Sequence, residues 1–184
     1  MKTDMKKIGL LFIGILIAYS VSSQDSISKL DYKLGVCTAF MGIGDASIMG
    51  FENEINYKIN SYISTSLNIG IGRSINNDIN NNDYFQSGLN IFISPFKNNS
   101  KNNFKIGAGY TIINETRVYS SNGTNDTNSQ YNFLSRTSNA FTIIIEDEYT
   151  INQKFLIGAK LFSTNGIQEG GIISGAMLKF GIII

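Results

Sequence analysis

The sequence predicts an all-β fold, an eight-stranded antiparallel up-and-down transmembrane β-barrel, on three observations. The first is alternation. Over 62–72, Ile63, Thr65, Leu67, Ile69 and Ile71 fall on one parity and Ser64, Ser66, Asn68, Gly70 and Gly72 on the other. A period of two marks a strand with one apolar face. The second is recurrence, because eight such segments follow one another from residue 30 to the end. The third is the make-up of the polar face, which is rich in Gly, Ser and Asn at Gly35, Ser66, Asn68, Gly88, Asn90, Gly107, Gly109, Gly158, Gly175 and Gly181. A water-facing exterior has no need of such small residues. The interior of an eight-stranded barrel does, because it is only wide enough to be filled by side chains. A soluble ligand-binding barrel, with its apolar faces turned inward, is the competing architecture, and this polar face argues against it.

The 184 residues suffice for one domain. Residues 1–23 read as a signal peptide: Lys2, Lys6 and Lys7 precede an apolar core at 8–18, and Val21-Ser22-Ser23 offers a cleavage site before Gln24. That core is too short for a spanning helix, so the barrel domain is assigned to 24–184. The single cysteine, Cys37, has no partner for an internal disulfide and reads as a small wall residue. Net charge is +1 and charged residues make up 16% of the chain, with no basic stripe, so nucleic acid is excluded as a partner.

Strand one is read over 30–41, with Leu34, Val36, Thr38 and Phe40 outward, and Gly42-Ile43-Gly44-Asp45 turns the chain. Strand two covers 48–59, Asn60-Ser61 closes a hairpin, and strand three covers 62–74. The polar run 76–83 is a solvated loop. Strand four, 84–95, ends at the sole proline, Pro95, where a missing N–H costs least. Strand five is 104–114, with Phe104, Ile106, Ala108, Tyr110 and Ile112 outward. The longest gap, 115–138, is rich in Asn, Ser and Thr and carries the turn signal Asn122-Gly123. Strand six is 139–151, Asn152-Gln153 turns, strand seven is 154–162, a loop spans 163–172, and strand eight is 173–184. The loops are mostly longer at one end of the barrel than at the other, the asymmetry of outer-membrane barrels. Tyr57, Tyr62, Tyr84, Phe85, Phe104, Tyr149 and Phe155 are the candidates for aromatic girdles, since Trp is absent.

Parity sends five acids inward, Asp31, Glu52, Glu54, Glu146 and Glu148, and five bases, Lys33, Lys58, Lys105, Lys160 and Lys179. In a narrow lumen such charges must pair. Glu52, Glu54, Glu146, Glu148, Lys160 and Lys179 are expected to form a lumen charge cluster, a structural plug or, in the sharper reading, a gate. Bulky inward residues, Phe92, Ile113, Ile144, Phe162 and Met177, argue against an open pore.

The signal, the eight alternating segments, the long loops and the ending Gly175-Ala176-Met177-Leu178-Lys179-Phe180-Gly181-Ile182-Ile183-Ile184 resemble the small outer-membrane barrels of the OmpX, OmpA-transmembrane-domain and OmpW-like group, especially the Bacteroidota type. The resemblance covers about 30–184. The chain departs from it by ending on Ile184 where that family usually ends on an aromatic. It implies the outer membrane of a Gram-negative bacterium, surrounding outer-membrane lipid, periplasmic termini, a monomer, and recognition of 175–184 by barrel-assembly machinery.

Histidine is absent. The enzymatic small barrels of the resembled group generally use a catalytic His as base, so no enzyme, cofactor or transition-metal site is expected. Three classes of function remain. The first is a structural or surface-interaction protein whose 115–138 loop, with Arg117, Tyr119, Tyr131 and Arg136, contacts a surface ligand or lipopolysaccharide. The second is a narrow channel for ions or small hydrophobic molecules. The third is a secreted soluble ligand-binding barrel.

Overall fold

The computed structural model describes residues 29–42, 46–75, 82–97, 101–120, 131–167 and 172–184, with backbone only at 117–120 and 131–133. The expected signal peptide at 1–23 and the expected turn at Asn122-Gly123 lie outside these residues, as do most of the expected turn at 42–45 and of the expected loop at 76–83.

Eight strands form one closed antiparallel barrel: β1 (Leu30–Met41), β2 (Ala46–Lys58), β3 (Ile63–Ser74), β4 (Asn82–Ile93), β5 (Asn102–Ser120), β6 (Tyr131–Ile151), β7 (Phe155–Gly166) and β8 (Ile172–Ile183). Each pairs with its neighbours in chain order, and β8 closes on β1. The stagger follows from the register. Paired residues traced from Leu30 through Tyr57, Thr65, Ile91, Ala108, Ile143, Ser163 and Ser174 return to β1 at Phe40, ten residues from the start. That shear tilts the strands by roughly 40° and leaves an interior that side chains fill.

The alternation is realised residue by residue. Along β2 buried and exposed positions alternate almost without exception. The apolar parity is outside: Leu178 is 72% exposed and Ile143 65%, while Lys33, Lys105 and Glu146 are at most 1% exposed. So large a continuous apolar exterior requires an apolar surrounding. Among the described residues no helix is long and apolar enough to cross a membrane.

Two turns at the terminus end are tight. Asn152 and Gln153 have φ of 51° and 59°, and Lys154 N–H donates to the Ile151 carbonyl at 3.2 Å. This is the doubly left-handed turn that matches strand twist. Asn60 Oδ1 accepts the N–H groups of Tyr62 and Ile63 at 2.8 and 2.9 Å, which turns β2 into β3. Near this end Tyr57, Tyr62, Tyr149 and Phe155 face outward, and Phe96 packs on Phe104 with centroids 6.4 Å apart. They make one aromatic girdle.

Two expectations need correction. Residues 115–138 are mostly not loop, because β5 and β6 pair continuously from Asn102↔Tyr149 to Ser120↔Tyr131 and leave only 121–130 between them. A ribbon that rises clear of an apolar surrounding meets water on both faces, so it carries no apolar alternation to read. Tyr84 is not in a girdle. It is 4% exposed and points into the lumen, because it shares parity with Gln86 and Gly88 and its neighbour Phe85 takes the outside. Smaller shifts extend β7 to Gly166 and begin β4 at Asn82.

Candidate functional site: the charged lumen

Inward parity on six strands delivers the site. β1 supplies Lys33, β2 Glu52 and Glu54, β5 Lys105, β6 Glu146 and Glu148, β7 Lys160 and β8 Lys179. Five of these already meet as three register pairs: Lys33↔Glu54, Lys105↔Glu146 and Glu146↔Lys160. Opposite charges facing each other across a ladder are the favourable arrangement.

The four glutamates and four lysines form one connected network. Glu146 lies at its centre, with the Nζ atoms of Lys179, Lys105 and Lys33 at 2.9, 3.2 and 3.4 Å. Glu54 takes Lys179 at 2.7 Å, Lys33 at 3.2 Å and Lys160 at 3.7 Å. Glu52 accepts from Lys160 at 2.6 Å and from Asn68 Nδ2 at 2.7 Å. Glu148 pairs with Lys33 and, at 2.8 Å, with Lys105. The oxygen that meets Lys105, Oε2, also accepts from Asn103 Nδ2 at 3.4 Å. Nearer the terminus end Asp31 holds Lys58 at 3.4 Å and accepts from Asn56 at 3.0 Å. The eight formal charges cancel, which is what makes their near-complete burial tolerable.

Above the network the lumen changes character. Level with the network Asn90 Nδ2 donates to Ser66 Oγ at 3.1 Å, and above it the Thr111, Thr142 and Thr164 hydroxyls link β5, β6 and β7 at 2.8 and 3.0 Å. Higher still, Met41, Ile48, Tyr84, Ile113 and Ile173 form an apolar lid toward the long-loop end. Cys37 lies against it, buried, with Sγ 3.8 Å from the Tyr84 hydroxyl. Glycines make room for large neighbours. A Cβ on Gly107 would stand 2.5 Å from Phe92 Cδ1, and Phe92 in turn lies under Lys105 Nζ, 5.1 Å from its ring centroid.

All six predicted lumen residues, Glu52, Glu54, Glu146, Glu148, Lys160 and Lys179, are brought together. Sequence reasoning placed Lys33 and Lys105 inward but left them out of the cluster, although they contact its centre. It also missed Asn68 and Asn103. Their parity was readable, but their grouping depends on the strand register, which sets Asn103 opposite Glu148 and Asn68 opposite Glu54. The predicted loop residues stand elsewhere. The backbones of Arg117, Tyr119 and Tyr131 lie in the β5–β6 ribbon, and Arg136 faces Glu115 in register. The side chains of Arg117, Tyr119 and Tyr131 fall outside the described set. Among the described residues no group of three or more His, Cys, Asp or Glu side chains could hold a metal ion.

The fold has solved counterparts. The chain is similar to Neisserial surface protein A with a TM-score of 0.64 at 11% identity, covering 84% of this chain and 96% of that one. It is similar to the attachment invasion locus protein Ail of Yersinia pestis with a TM-score of 0.59 at 13% identity, covering 84% and 98%. It is also similar to the N-terminal β-barrel domain of Pseudomonas aeruginosa OprF with a TM-score of 0.53 at 14% identity, covering 82% and 96%. At these identities the likeness shows the fold, a small closed barrel of the outer-membrane kind. No family model matches the chain, and no curated protein matches it in sequence.

Proposed function

We propose that this chain is an integral outer-membrane protein with a structural and surface-contact role, its lumen closed rather than conducting. The observation that carries the reading is the inversion of its faces: large apolar side chains line the exterior and a neutral lysine–glutamate network fills the interior. A barrel in water would reverse this arrangement. With the lumen closed by ion pairs and the apolar lid, the surface left for recognition is the long-loop end. There the β5–β6 ribbon outruns its neighbours, and β6 residues 131–138 have no register partner on β7. This ribbon is the contact surface for a surface ligand or lipopolysaccharide. Residues 1–23 direct export, 175–184 are read by the assembly machinery, the termini are periplasmic, and the protein acts as a monomer without catalysis.

Two measurements test this. Membrane fractions run with and without boiling should show a band that shifts on heating, and a soluble, unshifted protein would overturn the membrane assignment. In planar bilayers the folded protein should give no discrete current steps. The hydroxyl and amide strip through Asn68, Asn90, Thr111 and Thr142 favours a second reading, a narrow polar path. Steps that change with Glu52→Gln or Lys160→Gln would establish that reading instead.

A further inference from the structure

The outer wall carries a recess at its long-loop border that the lumen does not explain. It lies across β2, β3 and the start of β4, has a volume of about 370 Å³, and is walled by Met49, Phe51, Ile71 and Arg73, with Gly72, Asp83 and the inward-facing Tyr84 completing its lining. Met49 and Arg73 are register partners, and Phe51 and Ile71 form the next outward pair toward the barrel centre. Arg73 leans toward β4 and bonds Asp83 side-on, Nε to Oδ1 at 3.0 Å and Nη2 to Oδ2 at 3.1 Å.

The row Thr38, Met49, Arg73, Asp83 and Thr116 runs around the wall in register. The next outward row toward the barrel centre begins Val36, Phe51, Ile71 and Phe85, all exposed and apolar. Arg73, Asp83 and Thr116 thus interrupt the apolar wall near its long-loop border, where Phe40 and Ile75 remain exposed beside them, a mixed polar and apolar belt of the kind that meets lipid headgroups. Its side-on pairing occupies two of five N–H donors, and Nη1 has no partner among the described residues. Because Asp83 cancels the net charge, recognition here rests on directed donors. The carboxylate holds the guanidinium plane in place, so less ordering is lost on binding. A phosphate oxygen pair matches the free edge of that fork.

We infer that this recess binds one phosphate-bearing acyl lipid, its chain lying against Met49, Phe51 and Ile71 and its phosphate on the free edge of Arg73. The site rests on the membrane reading above and adds a ligand class to it. Two sources share this chemistry, a glycerophospholipid and a phosphorylated glycolipid.

The test is native mass spectrometry of the refolded protein in detergent, with three probes: phosphatidic acid, diacylglycerol of the same chains, and lipid A. One phosphatidic acid or one lipid A should stay bound under activation that strips diacylglycerol, and the better-retained of the two identifies the source. Arg73→Gln should weaken that retention about tenfold, and Met49→Trp, which fills the recess, should weaken it too. Equal retention of phosphatidic acid and diacylglycerol, or no change in Arg73→Gln, overturns the site. The same samples are run with and without boiling. A heat-shifting band without phosphate-selective retention sinks the site alone, whereas an unshifted band sinks the membrane reading and the site together.

Discussion

The two ends of this lumen fill the same narrow cross-section with opposite chemistry. Toward the termini the space is spanned by long charged side chains that tie together strands not adjacent in the wall. Lys33 on β1 reaches Glu146 on β6, and Lys160 on β7 reaches Glu52 on β2. Toward the long loops it is filled by Met41, Ile48, Ile113 and Ile173, which meet by shape alone. The difference lies in tolerance. Apolar packing loses free energy in proportion to volume removed, whereas a buried ion network loses it in steps, since each deleted charge strands its partners. Substitutions that barely alter shape separate the two.

The largest effect is expected at Glu146. Glu146→Gln conserves volume but leaves Lys33, Lys105 and Lys179 facing one carboxylate fewer, which should cost about 3–5 kcal/mol. Denaturant unfolding of the folded barrel, followed by gel mobility, measures it. Restoring neutrality with Glu146→Gln/Lys179→Met should recover part of the loss. If the single variant is as stable as the parent, the network is hydrated and the contrast between the two ends fails. Next comes the threonine layer between them. Thr142→Val keeps the shape and removes the hydroxyl joining Thr111 to Thr164, for about 1–3 kcal/mol in the same assay. In the lid, Ile113→Val removes one buried methylene and should cost about 0.5–1.5 kcal/mol. An Ile113→Val loss equal to that of Glu146→Gln would mean that shape, not charge, governs both ends.

Much of this was legible in the sequence, because a closed barrel converts parity directly into inside or outside. Lys160 and Glu146 could be assigned to the lumen from their neighbours Leu161 and Ile145 alone. What parity cannot supply is height. Lys105 meets Glu146 through the β5–β6 register, whereas Lys33, fourth in β1, reaches it across the lumen only because of the ten-residue stagger. The β5–β6 ribbon escaped for another reason. Its Asn, Ser and Thr residues look like loop because a two-stranded ribbon above the apolar zone has no greasy face to alternate. Tyr84 was misread by residue type, since tyrosine suggests a girdle, although the outward Phe85 beside it already forced Tyr84 inward.

The smallest effect is expected where an ion pair lies on the outside. Arg73–Asp83 has better hydrogen-bond geometry than several contacts within the lumen, yet its side chains are 78% and 44% exposed, against at most 2% for Lys179 and Glu146. Water and salt already solvate both partners at the rim, so deleting one strands nothing. Arg73→Gln should therefore leave unfolding unchanged within error, at low and at high salt, while it lowers lipid retention. A clear loss of stability in lipid-free detergent would show that the rim pair is shielded as the lumen pairs are. The boundary between the two regimes would then follow the wall's polar border rather than its inner face.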